Sequence, residues 1–360
     1  MTRVDSKRAA TGAMTGLALG DALGFPTEFN DVPRILEKCG PWRDMALPAP
    51  AYVTDDTQMS LALGRGLRTA AERGPLTPSR VVRPVREEYV EWWRSPENNR
   101  APGRTCLVAC ELLSHDERRW QEASQVGSKG CGATMRVAPV GLLPGLPGLP
   151  GTPGLSGSSG PSAAPGLSDE ARSGVAQLQA ALTHGHPTAL AASDLVAWTI
   201  RLLAHGTPPG SLLRELRAYA RENRSRYHEW WLGDLWRFAH DHGPVEFIER
   251  GWDECLDVLD RVEAALRAPD PEADPCEATG EGWVAEESLA TALLCFLLFP
   301  EEPLTALRRA ACTAGDSDSL ACLTGAFAGA YLGAGCWPSD WAERIEYRGE
   351  LLALGALWDA

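Results

Sequence analysis

The chain has 360 residues, 44% of them hydrophobic and 23% charged, an ordinary globular composition with length enough for a sizeable core. Its formal net charge of -14 repels phosphate backbones and argues against nucleic acid as a partner, although a bound cation reverses the local sign for a small anion. Residues 1–11 are polar with no apolar leader behind them, Ala290–Pro300 is too short to cross a bilayer, and ten scattered cysteines without a CxxC read as reduced, buried thiols; together these describe a cytoplasmic protein with no membrane role.

The first element, GAMTGLALGDALGF, carries Gly12, Gly16, Gly20 and Gly24 four residues apart. That spacing puts them on one helical face, and a face of glycines implies a second backbone packed very close. Asp21 and the short apolar length rule out a membrane dimer. Residues 25–53 read as a Pro- and Trp-rich loop, and a helix opens at Thr54-Asp55-Asp56. Amphipathic helices are expected over 83–95 and 104–113, and Ser128–Arg136 reads as a glycine-rich loop feeding a short helix.

Residues 144–168 differ in kind, with glycine every third position from Gly145 to Gly160. Six collagen-like repeats cannot form a triple helix without partner chains, so the segment reads as a Pro/Gly/Ser insertion within a single domain spanning 1–360. Helical periodicity then resumes over 171–183, 188–205, 210–222, 229–240, 245–268, 285–299, 303–312 and 317–334, with a surface loop over 268–281. Alternating strand patterns are nearly absent, so the fold class is all-α. Trp230, Trp231 and Trp236 recur at helical spacing and read as core.

The chemistry concentrates in two tracts remote in sequence, Thr54-Asp55-Asp56-Thr57 and Asp316-Ser317-Asp318-Ser319. Each sits where a helix begins, and either alone could be a helix cap. A cap needs one side-chain oxygen, however, and adjacent carboxylates repel unless a cation neutralises them. Oxygen ligands of this type suit Mg2+ or Mn2+, and two ions about 3.5–4 Å apart would need such a ligand count. A phosphatase-type aspartyl nucleophile is the rival reading of DSDS, but RRAACTAG before it is not strand-like.

These tracts, with GLALGDALGFPTEF, RAPGRT, SKGCGATMRVAPVG, THGHPTA and GWVAEESLATAL in this order, resemble the ADP-ribosylglycohydrolase family across nearly the whole chain outside the insertion. The resemblance implies an orthogonal multi-helix fold with a binuclear Mg2+ or Mn2+ site. It assigns metal ligation to Thr54, Asp55, Asp56, Asp316, Asp318 and Ser319, and ligand contacts to Ser128, Gly130, Gly132 and His184. Glu28 matches a carboxylate near the metals, a ligand or a base, and could equally be a solvated loop residue. Glu28, Asp55 or Asp56 would accept the proton of the attacking water. Three departures stand out: Ser319 replaces the usual threonine, Ala314 a common second glycine, and the insertion follows a ligand-binding loop. His186 reads as a packing or capping residue and Cys131 as a small buried filler.

The implied reaction is metal-dependent cleavage of the glycosidic bond joining ADP-ribose to a protein side chain such as arginine, or to a small-molecule acceptor. The alternatives are a silent ADP-ribose-binding relative and a metal-dependent nucleotide phosphoesterase. A monomer is the default. The acceptor linkage and the choice of Mg2+ or Mn2+ are not legible in the sequence.

Overall fold

The structure, a computed structural model, describes residues 7–144 and 167–359. Those residues form eighteen α-helices joined by short turns, with no strand and only two isolated bridges, Ala51 with Ile345 and Gly130 with Val284. No helix among them is long and apolar enough to cross a membrane, and all ten cysteines are free.

Two helices form the axis of the core. Ala9–Gly24 and Ser317–Leu332 are each buried over nearly their whole circumference, as expected of helices apolar all round. They run antiparallel and touch along the glycine face. A Cβ added at Gly12, Gly16 or Gly20 would fall on the backbone of Gly329, Gly325 or Ala321, and one at Gly24 on that of Ser317 and Asp318. Gly325 and Gly329 are equally intolerant toward Gly16 and Gly12. Such close packing fixes the register. It sets the C-terminal end of the first helix, with Asp21, against the N-terminal end of the second, with Asp316 and Asp318. The other end of Ala9–Gly24 is capped from afar, its free N–H groups at Ala10 and Thr11 donating to the Asp359 carboxylate at 2.7 and 3.1 Å.

Around this pair pack Asp55–Glu72, Asp169–Ala181, Pro187–Ala204, Pro244–Arg267 and Ala285–Leu298, each with one face in the common core. Most of the insertion lies outside the described residues, but its base is visible. Leu167 N–H donates to the carbonyl of Pro144 at 2.8 Å. The buried Arg172 guanidinium donates to Val140 O at 2.5 Å and Leu143 O at 2.9 Å, serving the carbonyls just before the departure point.

Several local expectations are corrected. The helix expected over 229–240 is two short pieces, Glu229–Leu232 and the 3-10 turn Leu235–Ala239, because Gly233 at φ 58° breaks the period. Trp231 therefore reaches the core while Trp230 is 66% exposed. The loop over 25–53 contains the helix Val32–Cys39, capped by Asp31 and started by Pro33. The loop over 268–281 contains Pro275–Thr279, capped by Asp274, with Cys276 buried. The helix expected from 83 begins at Pro78, since proline is suited to the first helical turn.

Candidate active site

The site is built on Asp21, a lone charge in an apolar helix that is itself fully buried. Its carboxylate accepts four hydrogen bonds from the start of the helix Asp55–Glu72: from Thr54 N–H at 3.0 Å, Thr54 Oγ1 at 2.9 Å, Thr57 N–H at 3.0 Å and Thr57 Oγ1 at 2.5 Å. These bonds satisfy donors that a helix N-terminus leaves free. They also leave Asp55 and Asp56 to point elsewhere. Asp55 Oδ2 accepts from Gly103 N–H at 3.1 Å, within the RAPGRT tract, whose Arg100 donates to Val53 O at 2.5 Å. Asp56 Oδ2 is buried and has no partner.

The second tract arrives with the glycine-packed helix. Asp316 is the residue before that helix, yet its side chain makes no capping bond; its Oδ2 instead accepts from the Cys131 thiol at 2.7 Å. Asp318 Oδ1 accepts from Ser319 N–H at 3.0 Å. Glu28 is brought in by a turn tied to the same helix, through Thr27 Oγ1 bonded to Gly24 O at 2.7 Å and lying 2.9 Å from Ser317 Oγ. Glu28, Asp316 and Asp318 offer oxygens all within 4.8 Å of one another, and Glu28 Oε2 has no hydrogen-bond partner. The next residue, Phe29, sits at φ 61° and stacks on Trp283 with ring centroids 5.4 Å apart. The two tracts, 262 residues apart from Thr54 to Asp316, come near enough for the charge of Asp318 to act on both Asp55 and Asp56.

Among the described residues none of these six carboxylates is paired with a lysine or arginine. Burial pushes the pKa of all six upward, to about 7 for Asp21 and Asp55 and about 10 for Glu28. The charge of Asp318 is the next cause for Asp21, Glu28, Asp56 and Asp316. A carboxylate whose pKa is higher folded than unfolded stabilises the fold only while protonated. In cation-free protein that contribution is therefore lost as pH rises from the ordinary carboxylate range through 7 toward 10. Thermal unfolding in EDTA should show a midpoint at least about 5 °C lower at pH 8 than at pH 5, and Mg2+ should raise it more at pH 8. A midpoint flat with pH, with or without Mg2+, would mean the carboxylates do not strain one another.

The loop beside the cluster is anchored by buried charge. Arg136 donates to Gly132 O at 2.7 Å, Gln179 Oε1 at 2.9 Å and Thr183 Oγ1 at 2.7 Å, and lies over the Tyr89 ring. Cys131 N–H donates to Trp283 O at 3.1 Å and Ala285 N–H to Lys129 O at 2.8 Å. Ser128 Oγ lies 2.9 Å from Thr105 Oγ1. His184 packs directly against Gly130 and Gly132, where a Cβ would meet its ring at 3.2 and 2.9 Å. Burial, then the charge of Arg136, lowers its pKa well below the ordinary value, so the ring is neutral. His186 caps the next helix, its Nδ1 accepting from Thr188 N–H at 3.2 Å.

The sequence profile of the ADP-ribosylglycohydrolase family matches residues 2–360. The chain belongs to the ADP-ribosylglycohydrolase family. The ADP-ribosyl-[dinitrogen reductase] glycohydrolase of Rhodospirillum rubrum is 25% identical over 346 residues, covering 95% of this chain and 91% of that one. The mouse ADP-ribosylhydrolase ARH3 is 26% identical over 364 residues, covering 93% and 86%. A solved chain titled ADP-ribosylglycohydrolase-related protein complex superposes with a TM-score of 0.64 at 24% identity, over 99% of this chain and 98% of that one. The all-α fold is thus that of the family, and the chain is an enzyme of the hydrolase class.

The residues the sequence assigns to metal or ligand stand in the two acidic tracts, at Glu28, in the Ser128–Arg136 loop and, for His184, packed against that loop's glycines. The sequence reading passed over Asp21, Arg136 and the position of Cys131. The signal for Asp21 was present, since a charge inside GLALGDALGF is buried at a cost unless it is used. Cys131, expected as a filler, has its thiol bonded to Asp316. Nothing in its sequence neighbourhood points to a residue 185 positions away.

Proposed function

We propose that this enzyme hydrolyses the bond between ADP-ribose and a modified acceptor, a protein side chain or a small molecule, with two divalent cations held at the acidic cluster. The observation that carries this reading is the grouping of Glu28, Asp316 and Asp318, with Asp55 and Asp56 near enough for the charge of Asp318 to act on both, with no neutralising side chain and with buried oxygens left unpartnered at Glu28 and Asp56. An orphaned, buried carboxylate oxygen is costly in a folded protein and is relieved by a cation. The donor set is oxygen-rich, so Mg2+ or Mn2+ fits it. Thr54, Asp55, Asp56, Asp316, Asp318 and Ser319 would supply the ligands. Bound divalent cations orient sugar hydroxyls and lower the pKa of a water toward neutrality.

The chain's own groups supply the rest. Glu28, on a turn locked to Ser317, or one of Asp55 and Asp56 would take the proton from water. The backbone N–H groups of Lys129 and Gly130 donate to no protein acceptor among the described residues, which suits them to diphosphate oxygens. The neutral His184 ring packs against Gly130 and Gly132 and so steadies the loop that carries these donors. The developing sugar cation is the charge that the cluster favours.

The test is a panel of arginine-linked, serine-linked and nucleobase-linked ADP-ribose, assayed for free ADP-ribose rather than AMP or phosphate. Activity should fall at least about a thousandfold in EDTA and return with Mg2+ or Mn2+. Undiminished turnover in EDTA would overturn the metal reading. Binding of ADP-ribose by calorimetry without turnover of any substrate would mark a silent relative.

A further inference from the structure

We propose that Cys131 gives the acidic cluster a second, thiophilic mode of metal binding, in which a cation such as Zn2+ or Cd2+ is held by the Cys131 sulfur with Asp316 and Ser319 and excludes the hard cations. The inference rests on the cluster being a cation site, as proposed above. It concerns how that site is regulated, not what it hydrolyses.

Three donors stand together here. Cys131 Sγ lies 2.7 Å from Asp316 Oδ2, and Ser319 Oγ lies 3.9 Å from the same sulfur. Asp56, only 2% exposed, also keeps an oxygen with no partner. A buried carboxylate oxygen left unpartnered in the cluster that also holds this thiol points to a cation there. Three of the ten cysteines are partly exposed, Cys39, Cys131 and Cys336, and of these Cys131 is the one bonded to the cluster.

The choice of metal follows from the donor types. Carboxylate and hydroxyl oxygens alone favour Mg2+ and Mn2+, whereas one thiolate tilts a site toward Zn2+ and other soft or borderline cations. On binding, the S–H bond breaks, a sulfur–metal bond forms and the proton passes to solvent. No oxidation state changes. Because Asp316 and Ser319 are shared between both modes, occupancy is exclusive. A thiophilic cation would close the site, and chelation would reopen it.

The full-length protein titrated with Cd2+ reads this directly through the ultraviolet sulfur-to-cadmium charge-transfer band. One equivalent should produce the band, and excess Mg2+ should shift its titration to higher Cd2+. In Cys131→Ser the band should vanish, and Cd2+ affinity should drop at least about tenfold more than Mg2+ affinity does. A Cys39→Ser/Cys336→Ser variant should keep the band, which covers the case in which Cys131→Ser folds poorly. Absence of the band in the parent, its survival in Cys131→Ser, or its indifference to Mg2+ would each overturn the proposal. If Mg2+ itself neither binds nor competes, the proposed function fails with it. If Mg2+ binds and Cd2+ gives no sulfur band, the thiophilic mode alone is wrong.

Discussion

Asp316→Asn is expected to cut ADP-ribose release by about a thousandfold or more while leaving the helices in place. The asparagine is isosteric and itself a good N-terminal cap, and Asp316 makes no capping bond to lose. What goes is one negative oxygen donor from the triad with Glu28 and Asp318. The same change should make the cation-free protein more stable at pH 8, by about 1 kcal/mol, since Asp316 is among the charges that raise Glu28 and Asp56. Few substitutions at a purely structural residue would abolish activity and stabilise the apoprotein together. Initial rates with Mg2+, paired with urea unfolding in EDTA, check both halves. Activity within tenfold of the parent would remove Asp316 from the site.

Gly20→Val is expected to be severely damaging, costing at least about 3 kcal/mol and lowering the yield of folded protein. Its Cβ would fall on the carbonyl of Ala321, backbone against backbone, where no rotamer change gives relief. The two helices would have to part, and they carry Asp21 on one side and Asp316 with Asp318 on the other. Gly349→Ala is the contrasting case, a helical glycine with nothing within 4 Å, where alanine should be neutral or slightly stabilising. Urea midpoints for the two variants decide it. A loss below about 1 kcal/mol for Gly20→Val would show that the helix contact is not the rigid spine described here.

Much of this was legible before any coordinates. The long helices follow from apolar period, and Gly12 through Gly24 announced a close backbone partner without saying which. The partner was unreadable because Gly325 and Gly329 lie some three hundred residues on and share their helix with other small residues. The acidic tracts were legible because two carboxylates at a helix start exceed what capping needs. Asp21 was passed over because its partners, Thr54 and Thr57, are set by a turn between helices and not by periodicity. Trp230 was misplaced because a single Gly233 ended a helix that spacing alone would have continued. Short helices such as Pro275–Thr279 escape periodicity altogether, having barely one turn in which to show it.

The bond from Leu167 to Pro144 has a consequence for how such a chain can change over time. The stretch between them departs and returns at one doorway, with Arg172 holding the frame from inside. A change in the length of that stretch leaves its two ends joined where they stand. That makes it a natural port at which the enzyme could acquire an address or a tether, and a ready place for an experimenter to install one.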